Sequence, residues 1–240
     1  MSDQVQSMFA QIAPRYDTAN DALSFGAHHA WRRKAVKLSG ARAGMSVLDC
    51  ATGTGDLALA FKRAVGDTGD VLGTDFCEPM LKTAPAKAER AGLKVRFEVA
   101  DAMKLPYATA TFDLSSISFG IRNVDDPSTC LHELARVVKP GGRVVVLEFG
   151  QPEGFFGSLF RLYARFLMPL IGRAVTGNRA AYEYLPRTAA AFPSGEQFIA
   201  LMKKTGRFTD AHATPLMFGT AWVYVGTVVT PGAGAAAATS

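Results

Sequence analysis

Gly53-Thr54-Gly55 follows a short apolar run at residues 46–50 and precedes a helical pattern, LALAFKRAV. Close-set glycines between a strand and a helix let a ligand approach the backbone and meet the helix N-terminus. A phosphate-gripping P-loop is excluded, because no Gly-Lys-Ser/Thr follows. The dinucleotide fingerprint is met loosely, with Ala58 as its third small residue. Asp75 ends the next apolar run 20 residues after Gly55, where its carboxylate can accept both hydroxyls of a ribose. To this point a dinucleotide and S-adenosylmethionine fit equally.

Two further carboxylates separate them. Asp101 stands just past the third run, placed to accept from an adenine amino group, and Asp49 ends the first, where it could meet the ammonium of a methionine moiety. A pyrophosphate gains nothing from an acid beside it, whereas a zwitterionic sulfonium cofactor does. Asp49, Asp75 and Asp101 at successive strand ends therefore favour S-adenosylmethionine. Taken singly, Asp49 and Asp56 would serve as turn caps and Asp101 as a loop cap.

The elements that must position these groups alternate from residue 46 to 149. Strand-like runs at 46–50, 71–75, 94–99, 112–118 and 143–149 are interleaved with helical patterns. Pro85 should shorten or kink the helix after the second strand. Residues 126–138 start a helix with Asp126 as N-cap and Pro127 at its first position, and KPGGR stops it. This order predicts an α/β fold with a parallel, doubly wound sheet and right-handed crossovers. Residues 1–45 read as helical with turns. Residues 154–177 are dense in aromatics and Leu but carry Arg161, Arg165 and Arg173. Ser194 and Gln197 have capping-box spacing for a helix ending near Gly206. Residues 222–229 read as a last strand, and the low-complexity tail 230–240 as disordered.

Composition narrows the class. A chain of 240 residues suits one α/β domain with a full core. The net charge of +5 is scattered without a stripe, so no nucleic-acid partner is expected, while attraction to an anionic membrane surface stays open. Cys50, Cys77 and Cys130 are isolated, without metal-ligand spacing, so neither a disulfide framework nor a metal is expected. The N-terminus lacks an apolar signal region, and no run of about 18 apolar residues would span a bilayer. The cytoplasm is the expected compartment.

Four segments together resemble a known family: YDTANDALSFGAHHAW (16–31), SFGIRNV (118–124), RVVKPGGRVVVLEF (136–149) and AYEYLPRTAAAFPSGEQF (181–198). The chain is similar to class I methyltransferases, and among them it resembles the UbiE-type ubiquinone/menaquinone biosynthesis C-methyltransferases over nearly all of residues 8–229. It departs at Ala19, where the family usually has Met, at Gly150, where it usually has Ser, and at Cys77, where Ser is more usual. The resemblance implies a Rossmann-like, mainly parallel seven-stranded sheet with helices on both faces. It implies an N-terminal helical lid (1–45) on a methyltransferase domain (46–229), with 154–177 covering the substrate.

The implied reaction is methyl transfer from S-adenosylmethionine to a ring carbon of a polyprenylated quinol. Such a carbon is a weak nucleophile until an adjacent hydroxyl, of pKa about 10, loses its proton. Arg122 and Asn123, after the fourth strand, are the leading catalytic candidates: Arg122 to stabilise the phenolate or orient a water, Asn123 to hold a quinol oxygen. Arginine is too basic to be the base itself. Tyr16 and Asp17, in the lid, are further catalytic candidates. The resemblance adds Thr54, Phe76, Ala102 and Ser118 to the cofactor contacts, beside Gly53, Gly55 and the three aspartates. His28, Tyr182 and Tyr184 are expected to line the substrate cleft; His28 and His29 are second-rank candidates in the lid, for both of which a packing or surface role is the alternative. The polyprenyl tail implies peripheral contact of 154–177 with the inner face of the cytoplasmic membrane; the alternative for this segment is a buried helix or a dimer interface. A homodimer or a quinone-biosynthesis assembly is a further expected partner. Three other readings compete: a methyltransferase for a soluble natural product, a NAD(P)-linked oxidoreductase, and a non-catalytic S-adenosylmethionine-binding subunit. The oxidoreductase lacks a Tyr-x-x-x-Lys pair.

Overall fold

The computed structural model describes residues 3–230; of the expected disordered tail, 231–240 lie outside the described residues. One seven-stranded sheet organises the chain, in the order β3-β2-β1-β4-β5-β7-β6. Strands β1 (Ser46–Cys50), β2 (Asp70–Asp75), β3 (Arg96–Val99), β4 (Phe112–Ser118) and β5 (Val138–Phe149) run parallel. β7 (Ala221–Val228) is antiparallel to both β5 and β6 (Phe208–Leu216). The order reverses beside β1, so the ends of β1, β2 and β4 open on one crevice, where doubly wound sheets take ligands.

Alternation along the central strands builds two cores. In β5, Val144 and Val146 face one layer while Val145 and Leu147 face the other, and all four are buried. The first layer is closed by α7 (Pro127–Arg136) and α11 (Glu196–Lys204), through residues such as Leu131, Leu134, Phe198 and Met202. The second is closed by α3 (Ala27–Ser39) and α4 (Asp56–Val65), through Trp31, Ala35, Phe61 and Val65. Each of the larger of these side chains, such as Leu131 or Phe198, contributes roughly 1.5–3 kcal/mol by leaving water.

α3 is therefore part of the sheet's own helix layer, and only α1 (Asp3–Ile12) and α2 (Tyr16–Ser24) form a cover. They pack against α9 (Met168–Thr176) and α10 (Arg179–Ala191), burying Ile12, Ala19, Leu23, Met168 and Tyr182 together. Ala19 is fully buried there, so its departure from Met is a packing change. Pro85 splits its region into α5 (Glu78–Leu81) and α6 (Ala84–Arg90), and Asp126 caps α7 by accepting from the Ser128 N–H at 2.9 Å.

Two local expectations fail. The Ser194 capping box does not form; Gly195 is the N-cap of α11, without a side-chain bond. KPGG lies within the span of β5 as an irregular approach to its regular part, between Phe112↔Val138 and Leu114↔Arg143. Segment 154–177 is α8 (Gly154–Leu162), a π-helical turn (Tyr163–Leu167) and α9.

Candidate active site

A cavity at the strand ends is lined by Gly53, Asp75, Phe76, Asp101, Ala102, Ser118 and Asn123. Gly53 and Gly55 bend the chain between β1 and α4 with φ of +57° and +87°, a region that disfavours any side chain. Asp75 accepts the Gly53 and Cys77 backbone N–H groups, each at 2.8 Å. Burial pushes its carboxyl up, and these two bonds pull it back. Asp101 braces its own loop by accepting from Met103 N–H through Oδ1. Carboxylates at the ends of β2 and β3, a side-chain-free turn and the apolar Phe76 and Ala102 fit ribose, adenine and the rest of S-adenosylmethionine.

Three expected cofactor contacts lie behind this wall. Asp49 is fully buried, and its oxygens accept hydroxyls from Thr52 (2.7 Å) and Ser116 (2.6 Å), so it braces the turn from beneath. Thr54, 4% exposed, donates to Asp17 at 2.6 Å. Gly55 backs onto Phe97 and Ala84 and does not line the cavity.

A second cavity, of about 180 Å³, lies between the sheet edge, the lid and segment 154–177. Tyr16, His28, Arg122, Tyr182 and Tyr184 line it. Phe9, Tyr16 and Phe119 line both cavities and form the partition between them. Phe119 holds a left-handed φ of +53°, a strained conformation for an aromatic residue, with its ring 4.4 Å from that of Phe149. Burial raises the Tyr16 phenol above its ordinary value.

Arg122 is the charged centre of this second wall. It pairs with Glu148 at 2.8 Å, donates to the Phe119 carbonyl and lies over the Phe149 ring at 5.2 Å. Burial pushes the Glu148 carboxyl up, and Arg122 pulls it back. The Arg122 Nε is buried without a hydrogen-bond partner among the described residues. Burial raises the Tyr182 phenol above its ordinary value, and a hydrogen bond with Thr176 opposes that shift.

Asn123 and Asp17 stand elsewhere than expected. Asn123 lines the cofactor cavity, and its amide oxygen accepts from the Tyr184 hydroxyl at 3.1 Å, tying the two cavities together. Asp17 accepts from Lys87 at 2.6 Å as well as from Thr54, which fastens the lid to the glycine turn. Lys87 also pairs with Asp56, which in turn pairs with Arg32 at 3.2 Å.

His28, His29 and Asp21 bring three potential metal-ligand atoms within 4.8 Å of one another. Arg32 can only donate, and it meets His28 Nδ1, so the neutral ring carries its proton on Nε2. That nitrogen donates to Asp21 at 2.7 Å and has no lone pair for a cation. Burial lowers the His28 pKa, which keeps the ring neutral. Phe9, Phe119 and Glu148 were not among the expected site residues. The only advance signal was Glu148, an acid inside the apolar run RVVVLEF.

A doubly wound seven-stranded sheet whose last strand in the chain, β7, is antiparallel, with a cavity at the strand ends lined by Gly53, Asp75 and Asp101, is the architecture of a class I S-adenosylmethionine-dependent methyltransferase. A solved methyltransferase of that dependence from Thermotoga maritima shares the fold, with a TM-score of 0.64 at 21% identity over 92% of this chain and 98% of that one. The sequence model of the ubiE/COQ5 methyltransferase family matches residues 1–228, and the chain belongs to that family. It is 53% identical over 225 residues to the ubiquinone/menaquinone biosynthesis C-methyltransferase UbiE of Bdellovibrio bacteriovorus, covering 93% of this chain and 95% of that protein. It is 49% identical over 221 residues to the demethylmenaquinone methyltransferase of Thermus thermophilus, covering 91% and 99%.

Proposed function

We propose that the enzyme methylates a ring carbon of a prenylated quinol, demethylmenaquinol or a 2-polyprenyl-6-methoxy-1,4-benzoquinol, in the cavity beside its methyl donor. The observation that carries this reading is the buried Arg122–Glu148 ion pair in the wall of an otherwise largely apolar pocket, which shares Phe9, Tyr16 and Phe119 with the cavity at the strand ends. A para-quinol offers an aromatic ring with two oxygens, and a pocket of this kind recognises such a shape through few, fixed polar groups. The relatives named above support the quinol class.

When bound, S-adenosylmethionine supplies a methyl group activated by a positive sulfur. The chain's residues prepare the acceptor. Arg122, held rigid by Glu148 and Phe149, stabilises a phenolate at the ring oxygen and so enriches the neighbouring carbon in electron density. Tyr182 lines the same cavity and packs against the ring. Phe9, Tyr16 and Phe119 keep water from the partition, and Tyr16 and Asn123–Tyr184 fix the register of the two cavities. The ring carbon would take that methyl as the methyl–sulfur bond breaks and its electron pair stays with sulfur as a neutral thioether; the same carbon then gives up its proton to solvent or base, and aromaticity returns.

Segment 154–177 supports peripheral contact with an anionic bilayer. Phe155, Leu159, Leu162, Phe166 and Leu170 are 88%, 54%, 55%, 52% and 65% exposed, beside Arg161, Arg165 and Arg173. Phe25 and Phe218, exposed by 80% and 77%, extend this surface. Such a face suits the boundary of a membrane that stores prenylated quinols. No described helix is long and apolar enough to cross one.

Assay of the purified enzyme with S-adenosylmethionine tests the function, using reduced demethylmenaquinol, the benzoquinol and a soluble non-prenylated phenol. Transfer to a prenylated quinol is expected. Transfer to the soluble phenol alone would replace this reading with the natural-product one.

A further inference from the structure

Behind the quinol cavity lies another, of about 400 Å³, framed by α8, the π-helical turn, α9 and α10. Phe149, Phe160, Met168 and Leu185 line both, so the wall between them is one side chain thick. The ring cavity, at about 180 Å³, falls below the roughly 300–1,000 Å³ that drug-sized ligands occupy. It takes a ring but not a ring with its tail. The chamber behind it has the missing room.

Its wall is largely apolar: Ala164, Pro169, Pro186 and Ala189 line it, with Gln151 and the exposed Glu183 as polar residues beside three arginines. Its arginines are exposed residues whose heads have other company: Arg161 donates to Ser158 at 2.9 Å, Arg165 lies over Phe166 and Arg187 over Tyr184. Their aliphatic stems extend the apolar wall while the charges stay at the rim. Both framing helices lose regular hydrogen bonding at this place, one in the π-helical turn and the other at Pro186 inside α10. Irregular turns and an unbranched Met168 give a wall that can yield to a flexible chain. The chamber shares no lining residue with the cofactor cavity, so a ligand filling it leaves the methyl path clear.

Resting on the quinol reading, we propose that this chamber is the subsite for the first isoprene units of the substrate's tail. The tail passes from the ring cavity between Phe160, Met168 and Leu185. Occupation of the chamber makes the enzyme selective for prenylated over bare rings.

The test places bulk in the chamber away from the ring cavity. Ala190 is exposed at its rim, and Ala190→Trp should fold as the wild type does; Ala189→Leu adds a smaller block deeper in. Each is assayed on one ring bearing no tail, one isoprene or four. The expected result is an unchanged kcat/KM on the bare ring, within about twofold, and a loss of at least about tenfold on the four-isoprene substrate. Equal losses on all three, or none on any, would overturn the subsite. A photoreactive geranylgeranyl alcohol, which carries no quinol ring, supplies an independent reading. Labelling within residues 160–169 and 183–190, reduced in Ala190→Trp, supports the subsite, and labelling elsewhere opposes it. Failure of the wild type on every quinol would overturn the parent function, while this cross-linking would still decide the chamber's occupant.

Discussion

Truncating Arg122 alone would strand the Glu148 carboxylate, 1% exposed, in a cavity wall without its counter-charge. Breaking one half of such a pair costs about 3–5 kcal/mol, so a dead Arg122→Ala enzyme would not separate lost chemistry from lost folding. Arg122→Met combined with Glu148→Gln removes both charges at similar volume. This double variant is expected to melt within about 5 °C of the wild type. It should bind S-adenosylhomocysteine as tightly, and lose at least about 10²-fold in kcat; retained turnover would remove Arg122 from the mechanism. Asp49 makes a pH prediction. Burial pushes its carboxyl from 3.8 to about 6, against the hydroxyl bonds from Ser116 and Thr52. A raised carboxyl favours the folded state below its unfolded pKa, and that advantage is lost as pH rises through about 6. Across about pH 4 to 7 the wild type should therefore lose on the order of 3 kcal/mol relative to Asp49→Asn in urea unfolding; parallel stability curves would contradict this. Strand-end position made Asp75, Asp101 and Arg122 legible in the sequence, because those ends share one edge of a doubly wound sheet. The partners of Asp49, Thr54 and Asp17 were not legible, because spacing locates a backbone but not which hydroxyl or amine a short side chain will meet.

Lys87 joins elements that lie far apart in the chain. It links α2, through Asp17, to the start of α4, through Asp56, and so closes the lid over the glycine turn. Asp17 is 42% exposed at its side chain, so the link contributes about 1 kcal/mol or less to stability. Its effect belongs to opening. Lys87→Met is expected to leave Tm nearly unchanged and to raise the dissociation rate of S-adenosylhomocysteine about three- to tenfold, read by stopped-flow fluorescence. An unaltered rate would show that the lid opens without breaking this contact. The parallel strands and their helices were readable because each carries one clear period. β6 was not, since Phe208–Leu216 mixes His, Asp, Thr and Pro on an edge strand, where one ladder side needs no apolar pattern. The chambers between lid, α9 and α10 were equally hidden, because they arise from contacts between helices and not from any one helix's sequence.

Six of the large hydrophobic side chains exposed among the described residues lie on segment 154–177. Phe155→Ser with Leu159→Ser is expected to weaken co-sedimentation with anionic vesicles at least about threefold while leaving kcat on a detergent-dispersed quinol unchanged. Equal sedimentation by variant and wild type would remove α8 from the membrane contact, and loss of a dimer in its place would mark the face as an interface between two copies. All of these arrangements serve one claim, that the cavity holding Arg122 and Tyr182 delivers a ring carbon to the donor. The most direct check is product analysis after incubation with reduced demethylmenaquinol and S-adenosylmethionine carrying a ¹³C-labelled methyl. The account predicts the label on a ring carbon, recognised by NMR as an aryl methyl, and its disappearance in the Arg122→Met, Glu148→Gln enzyme. A label on oxygen, or on carbon at an undiminished rate in that variant, would contradict it.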